Sequence, residues 1–144
     1  MLVGCLYVPN GNPAPGAKWD YKLRRLDRLT RYAAKLLELD APVVLAGDYN
    51  IIPTDLDVYK PERWTGDALF RPEVKDEFHR LVDQGWTDAL RELHPDEKIF
   101  TFWDYFRNAC DTVAGLRLDH LLISPELRGH LRSAEVHRYV RGWE

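Results

Sequence analysis

Two oxygen-bearing side chains follow an apolar run near the middle of the chain. Val43, Val44 and Leu45 predict a buried strand, and Asp48 and Asn50 come directly after it. In an extended backbone, residues two apart point to the same side, so a carboxylate and a carboxamide are presented together at the carboxyl end of a strand. Such a pair suits a hard cation or a phosphate. The alternative is an ordinary turn, in which Gly, Asp and Asn are common.

A second carboxylate, Asp119, lies inside the apolar run of residues 115–123, which predicts a core strand. A carboxylate within such a strand costs free energy unless it is paired or hydrogen-bonded. Two explanations remain open: an ion pair with Arg117 or a histidine, or a carboxylate that orients a histidine or a cation. His120 follows Asp119 directly, so the two side chains are expected on opposite faces of the strand.

The elements that would position these residues alternate between strands and helices. Strands are predicted at residues 2–8, from residue 43 to the Asp48 turn, and at residues 99–106, 115–123 and 134–140. Helices are predicted at residues 18–39 and 73–84, and residues 86–93 form a short segment between elements. The chain is therefore predicted to be one α/β or mixed α+β domain.

The first predicted helix carries one apolar stripe and one basic face. The stripe includes Trp19, Leu23, Leu26 and Ala33 at spacings of three and four residues. The basic face is predicted to be solvated, with contact to phosphate as the minor alternative. Its members are Lys22, Arg24, Arg25, Arg28, Arg31 and Lys35.

Composition limits the class of protein. With 144 residues, 45% hydrophobic and 30% charged, the chain is typical of one globular domain. No apolar run approaches the roughly 20 residues of a membrane span, and the net charge of −3 gives no global attraction to nucleic acid. Cys5 and Cys110 are interpreted as small, reduced packing residues, which favours a cytoplasmic location.

Four sequence blocks together resemble the exonuclease III family, the abasic-site endonuclease branch of the endonuclease/exonuclease/phosphatase superfamily. They occur in family order and span nearly the whole chain. Gly-Asp-x-Asn alone indicates only the superfamily, whereas Phe-Trp-Asp-Tyr and Leu-Arg-Leu-Asp are more specific to the DNA-repair branch. The blocks are Leu6–Gly11, Gly47–Asp57, Thr101–Ala109 and Gly115–Leu122.

The resemblance implies a role for each matching residue. Asp48 would position or activate the attacking water or protonate the leaving oxygen, and Asn50 would hold a phosphate oxygen or the water shell of the metal. Both would serve a Mg²⁺ ion, with Mn²⁺ as the alternative. Tyr7 would contact the scissile phosphate, and Asp119 would orient the catalytic histidine. The residues lining an abasic-sugar pocket would be Asn10 and Trp103.

Two of these residues have a simpler interpretation. Trp103 could pack in the core among the neighbouring aromatic side chains, and Tyr7 could be an ordinary strand tyrosine. The remaining family residues do not match: the metal-binding glutamate belongs to the family's first half, and the Ser-Asp-His signature would follow Glu144. The resemblance therefore implies the C-terminal half of a four-layer α/β/β/α sandwich, with one mixed sheet flanked by helices.

The function implied is Mg²⁺-dependent cleavage of double-stranded DNA beside abasic sites, with 3′–5′ exonuclease and 3′-phosphatase activity on blocked ends. This half alone is expected to be inactive or weak. One sheet face would be exposed and would bind a complementing N-terminal half or a second copy of the chain. Two alternatives are a superfamily phosphatase or phosphodiesterase for a small or lipid substrate, and a catalytically dead module that binds DNA or a protein.

Overall fold

The computed structural model describes residues 1–103 and 114–137 of the chain. Within them, one mixed sheet has the strand order β1-β2-β4-β3, with β1 parallel to β2 and β4 antiparallel to both β2 and β3. The sheet and its flanking helices confirm the predicted class. The strands are β1 Leu2–Tyr7, β2 Val43–Asp48, β3 Thr87–Asp88 and β4 Asp119–Ile123, and the helices are α1 Ala17–Leu37, α2 Pro72–Val82, α3 Ala89–Leu93 and α4 Pro125–Arg128.

The two long helices bury their apolar stripes in the core that covers one face of the sheet. Helix α1 buries Trp19, Leu26 and Ala33, as its periodicity predicts, and these pack in one cluster with Leu45 of β2 and Leu122 of β4. Helix α2 adds three buried apolar residues of its own to the same cluster. No helix in the described ranges is both long and apolar enough to cross a bilayer.

The opposite face of the sheet is open. Val3 is 65% exposed and Leu121 is 37% exposed, and the strand register places both on the face that carries Cys5 and Ala46. Cys5 is exposed, so its interpretation as a packing residue was wrong, and Cys110 lies outside the described residues. The open face is the exposed sheet face that the sequence predicted.

A buried ionic network connects the loop after β2 to β3, the strand at one edge of the sheet. The guanidinium of Arg117 is 1% exposed and donates to Asp57 Oδ1 at 2.6 Å and to Asp88 Oδ2 at 2.8 Å. Arg91 of α3 also donates to Asp57 Oδ1, at 2.6 Å. Because a buried charge without a partner is costly, this network fixes the short 3₁₀ helix Asp55–Asp57 against β3 and α3.

Two predicted strands are wrong within the described residues. Residues 99–103 form no strand apart from a single bridge between Phe102 and Leu116. The hydroxyl of Thr101 accepts hydrogen bonds from the amides of Leu118 and Asp119, both at 3.0 Å, so a side chain replaces a strand carbonyl as acceptor. Residues 134–137 are not a strand either; residues 104–106 and 138–140 of these predictions lie outside the described residues.

Candidate functional site

Three polar side chains form a row across the sheet. Tyr7, the last residue of β1, is in register with Asp48 at the end of β2, and Asp48 is in register with Asp119 at the start of β4. Residues in register on neighbouring strands point to the same face, and these three point to the open face. Tyr7 is 61% exposed and Asp48 is half-buried. The strand pairing therefore brings together three residues that lie far apart in sequence.

Asn50 joins this row through a tight turn. Its backbone is left-handed, with φ +49°, a conformation that asparagine adopts more readily than most residues. Its backbone N–H donates to Asp48 Oδ1 at 2.8 Å, and its Nδ2 donates to Asp48 Oδ2 at 3.0 Å and to Val8 O at 2.9 Å. The carboxylate and the carboxamide predicted from their spacing are thus in direct contact. With both amide protons in use, the Oδ1 of Asn50 is the atom left to bind a ligand.

The surroundings of Asp48 shift the pKa of its carboxyl group. Partial burial raises the pKa of Asp48, and the negative charge of Asp119 adds to the rise. The backbone N–H of Asn50 and the ammonium of Lys22 act in the opposite direction without cancelling it. A bound cation beside Asp48 would relieve the repulsion between the two carboxylates.

Asp119 differs from the sequence-based expectation in its environment. Its side chain is exposed on the open face, and no ion pair joins it to a described residue, so the proposed pairing with Arg117 or a histidine is wrong. Arg117 is instead bound to two other aspartates. His120 is 3% exposed and lies on the opposite face, as predicted from its position next to Asp119.

Two buried side chains that the sequence analysis did not assign to the site donate hydrogen bonds to the turn after β2 from the core. The ammonium of Lys22 donates to Asn50 O at 2.6 Å, and the Nε2 of His120 donates to Ile51 O at 2.9 Å. Lys22 was predicted to lie on the solvated face of α1, which is wrong, because it is 0% exposed. The sequence did contain a signal for this burial. Lys22 lies three residues after Trp19 and four before Leu26, and both of these residues belong to the buried stripe.

The two predicted pocket residues lie outside this row. The Oδ1 of Asn10 accepts from the backbone and side-chain nitrogens of Asn12, so the exposed Asn10 side chain is tied into its own loop. Trp103 lines an open cavity of about 530 Å³ with Tyr59 and Phe100. Trp103 follows Thr101 by two residues, and the Thr101 hydroxyl binds the amide of Asp119, so the aromatic segment is anchored to the end of the row.

The oxygen atoms of the candidate site are the right type of ligand for a hard divalent cation, but they are few in number. Asp48, Asn50 and Asp119 offer oxygen atoms alone, which Mg²⁺ and Mn²⁺ accept. The described residues contain no group of three or more His, Cys, Asp or Glu side chains that could enclose a metal ion. Mg²⁺ usually keeps several waters and takes further oxygens from a phosphate substrate. Such a cation would therefore be held by few protein ligands.

The fold and the row define a class: an α/β protein with an acidic, oxygen-rich site at strand ends. The chain belongs to the Endonuclease/Exonuclease/phosphatase family, whose sequence profile matches residues 2–137. This match confirms the superfamily that the four sequence blocks predicted.

Three individual relatives show which kinds of protein within this family the chain resembles. The chain is 35% identical to exodeoxyribonuclease III of Haemophilus influenzae over 130 residues, which is 84% of this chain and 48% of the relative. The structure of the 3′–5′ exonuclease NExo from Neisseria meningitidis matches with a TM-score of 0.94 and 33% identity, covering 99% of this chain and 56% of that one. An AP endonuclease from Archaeoglobus fulgidus matches with a TM-score of 0.83 and 33% identity, over 88% of this chain and 50% of its own. The chain thus spans about half the length of each of these three proteins.

Proposed function

We propose that Tyr7, Asp48, Asn50 and Asp119 form part of a metal-assisted site that hydrolyses phosphodiester bonds in DNA. The observation that carries the proposal is the row of three in-register side chains on the open sheet face, with Asn50 hydrogen-bonded to Asp48. The relatives support it, because they are named as an exodeoxyribonuclease, a 3′–5′ exonuclease and an AP endonuclease. NExo has also been seen, as a 3′ phosphatase, bound to a product DNA hairpin.

Each residue has a chemical task in this proposal. Asp48 and the Oδ1 of Asn50 would hold Mg²⁺, which supplies Lewis-acid stabilisation of the charge that develops on the phosphate. Asp48 would also position or activate the attacking water, or protonate the leaving oxygen. Tyr7, whose side chain is largely exposed, would donate a hydrogen bond from its hydroxyl to a phosphate oxygen. Asp119 would orient a histidine supplied by another part of the family fold.

We propose double-stranded DNA with an abasic site or a blocked 3′ end as the substrate. An abasic nucleotide has no base to unstack, so an aromatic-walled pocket can admit it at low energetic cost. Trp103 would form one wall of that pocket and Asn10 would lie at its rim. The anchoring of Thr101 to Asp119 supports the proposed place of Trp103, since it links the aromatic segment to the phosphate-facing row.

We propose that the open face packs against a second sheet of the same family fold. The face carries Val3, Cys5, Ala46 and Leu121, and the row of polar side chains runs along one end of it. NExo matches this chain over only 56% of its own length, so a large part of NExo lies outside the match. Because the described donor set is sparse, cleavage by the 144-residue chain alone is expected to be slow.

Incision of a duplex oligonucleotide that carries one abasic analogue tests the proposed reaction. Single-turnover conditions, with protein in excess, would reveal a slow reaction in the presence of Mg²⁺. The Asp48→Ala variant and an EDTA sample should lose cleavage by at least about 100-fold, because the variant lacks a ligand of the cation and EDTA removes the cation itself. Asp76→Ala, at an exposed position on α2, is the matched control and should cleave at the wild-type rate.

The possible results separate the proposal from its alternatives. Equal cleavage by the wild type and by Asp48→Ala would reject Asp48 as a catalytic residue. Salt-dependent DNA binding without any wild-type cleavage would reject hydrolysis by this chain and favour a binding module.

A further inference from the structure

The most deeply buried cation near the site is not part of the row. Lys22 is 0% exposed, and its ammonium donates to Asn50 O at 2.6 Å, Asn10 O at 2.9 Å and Ala68 O at 3.0 Å. These carbonyls belong to the loop after β1, the turn after β2 and the segment before α2. One side chain therefore joins three loops that are 12, 28 and 46 residues from it in sequence.

Burial lowers the pKa of Lys22 to about 7, and three carbonyl oxygens around it match the donors of its ammonium form. An ammonium has three donors and no acceptor, and here each donor has one carbonyl partner. Burying such a charge is costly unless its hydrogen bonds are made, so a carbonyl cradle is the condition for its burial. Gly11, with φ +92°, leaves room for the stem: a Cβ at this position would lie 2.7 Å from Lys22 Cδ. The loop backbone is thus shaped around this side chain.

The contact to Asn50 acts on the site directly. The left-handed backbone of Asn50 costs free energy relative to extended or helical conformations, so it needs a partner that fixes it. Lys22 binds its carbonyl, while its amide and side chain bind Asp48 and Val8. Holding both the carbonyl and the amide of Asn50 restrains its φ and ψ angles, and these angles set the direction in which its side chain leaves the backbone.

We propose that Lys22 is a positioning residue that sets the orientation of Asn50 against Asp48. It also holds the backbone of Asn10, so the loop proposed to border the substrate pocket is fixed by the same group. The inference rests on the proposed function only for what the site binds; the orientation of Asn50 can be measured without activity.

A purely electrostatic role makes the opposite prediction. Lys22 lies close enough to Asp48 to influence its charge. If Lys22 acted only as a nearby positive charge, its removal would strengthen the binding of a cation at Asp48. If Lys22 positions Asn50, its removal should weaken cation binding, as the loss of residues that orient metal ligands does. The sign of the change therefore distinguishes the two roles.

The experiment compares the wild type with Lys22→Met and with Lys35→Met, an exposed position near the end of α1 that controls for the loss of one lysine. NMR spectroscopy follows the side-chain amide of Asn50, and titration with Mn²⁺ gives the affinity of the site. In Lys22→Met, the Asn50 amide signals should shift and the Mn²⁺ affinity should fall by at least about tenfold. Lys35→Met should match the wild type in both.

A second measurement needs no variant and stands if Lys22→Met fails to fold. In the wild type, scalar couplings across the hydrogen bonds should connect the Lys22 Nζ to the carbonyl carbons of Asn10, Asn50 and Ala68. Absence of these couplings would overturn the proposal. So would a folded Lys22→Met variant with unchanged Asn50 signals, or with equal or tighter Mn²⁺ binding. Shifted Asn50 signals in a protein whose wild type binds no Mn²⁺ would support the positioning role and reject the proposed metal site.

Discussion

The buried His120 predicts a specific loss of stability in acid. His120 is 3% exposed; its Nε2 donates to Ile51 O, and its Nδ1 lies 3.9 Å from Asp88 Oδ2. Burial lowers the pKa of His120 to about 4, and the positive charge of Arg117 contributes in the same direction. In the unfolded chain its pKa returns to the ordinary value of 6.5.

The sign and size of the effect follow from these two values. Between pH 6.5 and about pH 4, the unfolded chain binds a proton at His120 that the folded chain does not, so stability falls as the pH falls. At about 1.4 kcal/mol for each pH unit, the full loss is about 3 kcal/mol. Asp57 titrates below this range: burial acts to raise its pKa, but its bonds to Arg117 outweigh this and lower it. The contribution of Asp57 is therefore lost only at more acidic pH.

Urea unfolding at several pH values between 7.5 and 4.5 measures this loss. The buried Trp19 and Trp86 make tryptophan fluorescence a suitable signal. The His120→Gln variant keeps a donor for Ile51 O but cannot be protonated, so its stability should change less over this range. His79→Gln, at an exposed position on α2, should follow the wild-type curve. His94 works in the opposite direction, because its bonds to Ala134 O and Glu97 raise its pKa.

Equal pH dependence in His120→Gln and the wild type would show that His120 does not cause the loss of stability in acid. It would mean that the histidine is protonated in the folded protein or that other groups control acid unfolding.

Two further predictions concern stability. Arg117→Met leaves Asp88 and Asp57 with less compensation in the interior, so urea unfolding should show a loss of about 3–5 kcal/mol. Arg128→Met, which breaks only the exposed pair with Glu92, should stay within about 0.5 kcal/mol of the wild type; equal losses in both variants would contradict the buried network. Gly47→Ala should lower the thermal midpoint sharply, because φ is +146° and a Cβ would lie 1.9 Å from Leu6 O. Gly66→Ala, with open space around it, should not, and a stable Gly47→Ala protein would show that β1 and β2 are less closely paired.

The elements with regular apolar periodicity were predictable from sequence. Strands β1 and β2 and helices α1 and α2 lie within a few residues of their predicted ranges, because local pattern and burial agree there. Residues 99–103 differ, because aromatic residues favour a strand while the Thr101 hydroxyl takes the strand amides in tertiary structure. That competition involves residues 17 and 18 positions apart and has no local signal.

The family resemblance named all four residues of the candidate site, but the pattern of the residues themselves predicted only the local contact within it. The Asp48 and Asn50 pair follows from spacing along one strand. The row that adds Tyr7 and Asp119 depends on strand register, which the sequence analysis did not predict. Arg117 shows the same limit: its partner Asp57 is 60 residues away, so its charge could not be assigned to a buried network from sequence.

NMR spectra recorded with substoichiometric Mn²⁺ are the decisive test of the proposed metal site, because they locate a bound cation without requiring turnover. We expect the backbone amides of Asp48, Asn50 and Asp119 to broaden together, and Asp48→Ala to abolish the broadening. Broadening centred elsewhere, or unchanged broadening in Asp48→Ala, would contradict the claim that this row is the metal-assisted phosphodiester site.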